Sequence, residues 1–109
     1  MKGINLGEFE ELVLLVVGVL YERAYGVAVM DEIKDKTGRG VNISAIHTAL
    51  KRLEEKGYVN SHMGGATNAR GGRRKRFFML TAVGKKTLDY VQEVRMQFYN
   101  RIPEIAFAN

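Results

Sequence analysis

No cysteine occurs in the chain, so disulfides and thiolate metal or redox sites are excluded at once. The absence fits a reducing compartment. A bilayer-spanning stretch is also missing. The longest apolar run, Leu12 to Leu20, is nine residues, against the roughly 20 that a membrane helix requires. Glu8, Glu10 and Glu11 precede that run and Glu22 follows it. Met1 is not followed by the basic, then apolar, then small-residue order of a secretory signal. A soluble cytoplasmic domain is the expectation, with no membrane partner. Catalytic patterns are lacking too: there is no Ser-His-Asp set, no paired carboxylates and no phosphate-binding loop, so neither an enzyme nor a cofactor is expected. His47 and His62 have no cysteine partner and match no zinc spacing. Neither is read as a metal ligand or a catalytic base: His62 is read as a strand histidine, and no metal is expected.

What remains is one domain's worth of chain, 109 residues with 46% hydrophobic content, enough for a small core. The net charge of +5 is unevenly placed. Residues 1–41 carry five Lys/Arg against seven Asp/Glu, whereas residues 64–76 hold Arg70, Arg73, Arg74, Lys75 and Arg76 with no acid. A basic patch this local points to a polyanion as partner.

Periodicity orders the rest. An acidic first turn opens a helix at Leu6–Gly7–Glu8 that continues to about Arg23. Its run from Leu12 to Leu20 is apolar all round, so more than one side must be covered. Val13, Val16 and Val17 make a strand the competing reading. Ala24–Tyr25–Gly26 reads as a turn, with Gly26 its flexible point. A second helix follows from Val27 to about Lys36 and ends at Thr37–Gly38–Arg39–Gly40. Then comes the most informative stretch, Asn42 to Val59. Ile43, Ile46, Leu50 and Leu53 form one apolar stripe, Asn42 or Ser44 can cap its start, and Gly57 can end it. The other face carries Ser44, Ala45, His47, Thr48, Lys51, Arg52 and Glu55. It is small and polar first and cationic later, as suits a helix entering the major groove.

Two short strands, Tyr58 to His62 and Arg76 to Leu80, flank a loop from Gly64 to Gly72 that contains Asn68. Together they predict a basic hairpin, or wing. Thr81 caps a last helix running to about Ile102. Leu88, Val91, Val94 (or Arg95) and Phe98 lie on one stripe, with Tyr90, Met96 and Tyr99 beside it. That is more apolar surface than the last helix of a small monomer usually buries. Pro103, the one proline, stops the helix for want of an amide hydrogen, and a loose tail is expected beyond it. The fold class is thus mainly α with a small antiparallel hairpin: a winged helix-turn-helix.

In three motifs the chain resembles the PadR-type bacterial transcription regulators. The first is the long apolar helix followed by Tyr25–Gly26. The second runs from Ile46 through Ala49–Leu50–Lys51–Arg52–Leu53 to Gly57–Tyr58–Val59. The third runs from Gly71 through Arg73–Arg74–Lys75–Arg76 to Phe77–Phe78–Met79–Leu80–Thr81 and Gly84. The resemblance covers nearly the whole chain. It implies a homodimer, paired through the last helix and the first, that binds a palindromic operator and usually represses. It also implies the division expected here: 1–80 as the DNA-binding domain, 81–102 as the dimerisation helix and 103–109 as tail. The short last helix resembles the smaller branch, the lactococcal multidrug-resistance repressor type, in which planar, apolar effectors can bind at the dimer interface. His47 departs from the family's usual tyrosine, and Thr48 stands where proline is common.

Within that frame Ser44, Ala45 and Thr48 are expected in the groove, with His47 among the DNA contacts. Lys51 and Arg52 are expected on phosphates. Arg73 and Arg74 would follow the backbone or enter a minor groove, and Arg70, Lys75 and Arg76 add to the same surface. Leu12, Val16, Leu88, Val91, Val94, Met96, Phe98, Tyr99 and Ile102 are the candidates for a dimer interface or an effector pocket. Dense dimer packing explains the aromatic residues as well as a pocket for a small apolar or aromatic effector does. The alternative function is an interaction module that docks on a protein or RNA and has only general affinity for double-stranded DNA.

Overall fold

The computed structural model describes residues 6–64 and 74–107. The elements are α1 (Glu8–Leu20), a 3₁₀ turn (Tyr21–Arg23), α2 (Gly26–Thr37), α3 (Ile43–Glu55), β1 (Val59–Met63), β2 (Arg76–Leu80), α4 (Ala82–Tyr99) and a second 3₁₀ turn (Glu104–Phe107). This is a mainly α winged helix with one antiparallel hairpin. No helix among the described residues is long and apolar enough to cross a membrane.

The β-branched run of α1 is helical. Glu8, Glu10 and Glu11 occupy its first turn, where the helix dipole favours negative charge. Val13, Val16 and Val17 bury in the core shared with α2 and α3 rather than pairing along a ladder. Helix α1 stops as an α-helix at Leu20, three residues short of Arg23. Tyr21 there takes a positive φ of 55°, and the chain continues as a 3₁₀ turn.

Helix α3 is the best-specified element. The Asn42 side chain accepts a hydrogen bond from the Ala45 amide at 2.8 Å, a cap worth about 1 kcal/mol. At the other end Tyr58 N donates to Leu53 O and Gly57 N to Glu54 O, with Gly57 at φ +82°: a Schellman stop. Between the caps Ile46, Leu50 and Leu53 are fully buried. They pack with Leu14 and Val17 of α1, Val29 and Ile33 of α2, and Val59 and Phe78 of the hairpin. Each such side chain contributes about 1.5–3 kcal/mol by leaving water.

The hairpin pairs Val59 with Leu80 through to Met63 with Arg76, one residue further along than Tyr58 to His62. Tyr25 adds an antiparallel bridge to Phe77, and Phe78 N donates to Ala24 O at 2.8 Å. The expected turn at Ala24–Tyr25–Gly26 is therefore corrected. Tyr25 is extended backbone on the sheet edge, and Gly26 is the first residue of α2.

Thr81 ties α4 to this assembly. Its hydroxyl accepts from Gly84 N and donates to Gly57 O. Leu88 is the last buried side chain on α4. The helix ends at Tyr99 rather than Ile102: Arg101 N and Ile102 N bond the carbonyls three residues back. Pro103 explains that tightening, because a proline drives the residue before it out of the α conformation. The expected tail is a short 3₁₀ turn over Glu104–Phe107.

Candidate nucleic-acid interface

The polar face of α3 presents Ser44, His47, Thr48 and Lys51, all exposed, while Ala45 is half-buried at its edge. Arg52 is exposed but lies on the α1 side, its guanidinium 3.9 Å from Glu10, which also pairs with Lys56 at 2.6 Å. The residues that share a free face are thus Ser44, His47, Thr48 and Lys51. Arg52 is drawn toward α1.

A cleft of about 540 Å³ separates α3 from the hairpin. One wall is the start of α2, at Tyr25 to Val27; the other is the strand end, at Arg74 to Arg76. His47 stands at the mouth. The Lys75 ammonium sits 4.1 Å over the Tyr25 ring, a cation–π contact that fixes its direction. Tyr25 also meets Phe77 edge-on, with ring centroids 5.6 Å apart. Arg74 Nε donates to Gly64 O. Arg76 is turned back to Ser61 Oγ, which itself donates to Glu54. Arg70 and Arg73, with the loop of Gly64 to Gly72 beyond Gly64, lie outside the described residues.

Sequence reasoning missed the part played by Tyr25 and Gly26. A Cβ on Gly26 would stand 2.8 Å from His47 Cε1 and 3.4 Å from its Nε2, so the imidazole rests on the bare α-carbon. The Tyr-Gly pair was visible in the chain. That it faces residue 47 and the wing is a tertiary fact without a local signal.

The second surface is the free length of α4. A trough of about 680 Å³ lies along Tyr90, Val91, Val94 and Arg95, then Phe98, Tyr99 and Ile102. Phe98 is 65% exposed and Tyr99 68%. Met96 is also exposed. Arg95 bonds Glu11 at 2.7 Å and borders a smaller hollow with Leu12 and Leu15. Residues of α1 and α4 therefore form one continuous surface. Val16 (7% exposed) and Leu88 (9%) are instead in the protomer's own core, leaving little of either to offer a second chain. Exposed Leu15 and Val19 of α1 were not singled out in the sequence. Among the described residues no group of three or more His, Asp or Glu could hold a metal ion.

A helix-turn-helix followed by a cationic hairpin across a cleft from α3 defines a winged-helix protein. The model of the PadR-like transcriptional regulator family matches residues 13–90, and the chain belongs to that family, whose members are DNA-binding regulators and not enzymes. Among curated proteins none matches significantly. Among solved structures, a PadR family transcription regulator from Clostridium difficile is 20% identical, covering 88% of this chain and 94% of its own, at a TM-score of 0.69. A PadR family regulator from Eggerthella lenta is 23% identical, with 94% and 88% covered and a TM-score of 0.69. A Streptococcus mutans protein is 26% identical, with 91% and 86% covered and a TM-score of 0.67.

Proposed function

We propose that this regulator is a cytoplasmic homodimeric repressor that binds a palindromic operator and releases it when a small apolar or aromatic effector enters between the subunits. The observation that carries the DNA reading is the cleft that brings His47 of α3 together with Arg74 and Lys75 of the hairpin, beside the exposed Thr48 and Lys51 of the same helix. In this reading α3 enters the major groove and the wing follows the adjacent backbone. Ser44, Ala45 and Thr48 have short side chains that discriminate bases modestly, so DNA shape supplies part of the specificity.

The dimer reading is supported by α4, which fully buries nothing beyond Leu88 yet exposes Tyr90, Met96, Phe98 and Tyr99, with Ile102 exposed just past its end. A contiguous apolar surface of this kind marks an interaction site. A second copy laid along α1 and α4 would cover Leu12, Leu15, Val91, Val94 and Phe98, and would close the trough into a cavity for the effector. The 18-residue α4 is in keeping with the family's smaller branch. Charge reversal of Arg73 and Arg74 to Glu tests the wing: operator affinity is expected to fall at least tenfold, at low salt above all. Unchanged operator binding would refute the wing's part. A dimer interface with no cavity, and no shift in melting temperature across aromatic ligands, would refute the effector.

A further inference from the structure

Gly26 has no conformational need to be glycine. Among the described residues the glycines with positive φ are Gly38 and Gly57, and Gly26 lies within α2. What the position lacks is room. The nearest obstacle to a Cβ is the far end of the His47 imidazole, at 2.8 Å, with Ile43 Cδ1 behind it at 3.4 Å. Among the described residues no acid lines the cleft into which that ring projects, and Arg74, Lys75 and Arg76 border it.

We propose that Gly26 is a positioning residue for DNA recognition: its bare α-carbon seats the His47 ring at the mouth of the cationic cleft, where the imidazole N–H donates to a backbone phosphate of the duplex. This rests on the reading of α3 as the recognition helix. His47 occupies the edge of α3 nearest the wing, and a phosphate held there lies between the groove-reading face and the cations of the hairpin. The neighbouring Lys75, fixed over Tyr25, adds charge to the same opening. Tyr25 and Gly26, consecutive in the chain, thus orient one contact from the wing and one from the helix.

The test is a double-mutant cycle on the full chain, against a labelled duplex that the wild-type protein has selected from a random-sequence pool. His47→Ala is expected to weaken binding by about tenfold, the scale of one hydrogen bond to a charged group. Gly26→Ala is expected to weaken it by a similar factor with no loss of melting temperature, because only a side-chain end must move. Gly26→Ala/His47→Ala should bind no more weakly than His47→Ala alone, since the first change acts through the second. The ¹⁵N imidazole signals of His47 should shift on adding duplex in wild type and not in Gly26→Ala. Wild-type affinity in Gly26→Ala, multiplied losses in the double variant, or unfolding of Gly26→Ala would each overturn the proposal while leaving the regulator reading intact. Failure of the wild-type chain to select any duplex would overturn that reading, and the proposal with it.

Discussion

At the scale of single residues, one buried hydroxyl and one ion pair show how local chemistry sets stability. Thr87 is fully buried and its hydroxyl has no hydrogen-bond partner among the described residues. An unsatisfied buried hydroxyl costs about 1–3 kcal/mol, so Thr87→Val is expected to raise stability by about 1 kcal/mol. Urea unfolding checks this, and a lower midpoint would show that the hydroxyl has a partner after all. Glu8 and Arg39 give a pH-dependent case. The Arg39 guanidinium, hydrogen-bonded to Glu8 at 2.9 and 3.0 Å, lowers the Glu8 pKa from its ordinary 4.5. A depressed carboxyl stabilises the fold above its unfolded pKa and loses that effect as pH falls through the lower folded value. Arg39→Ala should therefore reduce the urea midpoint near neutrality. In strong acid the deficit should shrink to what the Arg39–Phe9 ring contact leaves. A deficit equal at both pH values would contradict this.

Elements differ in how plainly the sequence declares them. Helix α3 was legible because its stripe, its Asn42 cap and its glycine stop all lie within the segment and agree with one another. The winged-helix order was legible for the same reason, helix by helix. The Tyr25–Gly26 segment was not: Gly-containing triplets between helices read as turns, and only the sheet edge and the His47 ring give this one its role. Two of the interface candidates, Val16 and Leu88, share a stripe with surface residues. Periodicity identifies an apolar face without saying whether the same chain or another covers it. The joint between α4 and the start of β1 depends on another close approach, at Gly84. A Cβ there would overlap the Tyr58 carbonyl oxygen, a backbone atom that cannot swing aside. Gly84→Ala is expected to destabilise by about 1–3 kcal/mol, as overpacking does, and to loosen α4 from Thr81 onward. Unchanged thermal stability would show that α4 can move outward freely.

For the whole molecule, the proposed function assigns DNA reading to α2 through the hairpin, and pairing to α1 and the free length of α4. Phe98→Glu places a charge in the middle of the exposed trough and touches nothing in the protomer core. It should leave each chain folded but shift sedimentation from dimer to monomer, with operator affinity falling because each half-site is then bound singly. A variant that remained dimeric would move the pairing surface elsewhere.

The central claim is that two copies read DNA together. The most direct measurement is fluorescence anisotropy of the selected duplex titrated with wild-type protein at several salt concentrations, with excess competitor DNA and a stoichiometric point. The account expects tight, competitor-resistant binding by two chains per site. It also expects a salt slope of about −0.9 for each phosphate neutralised. Weak binding that competitor removes, or saturation at one chain per site, would contradict it.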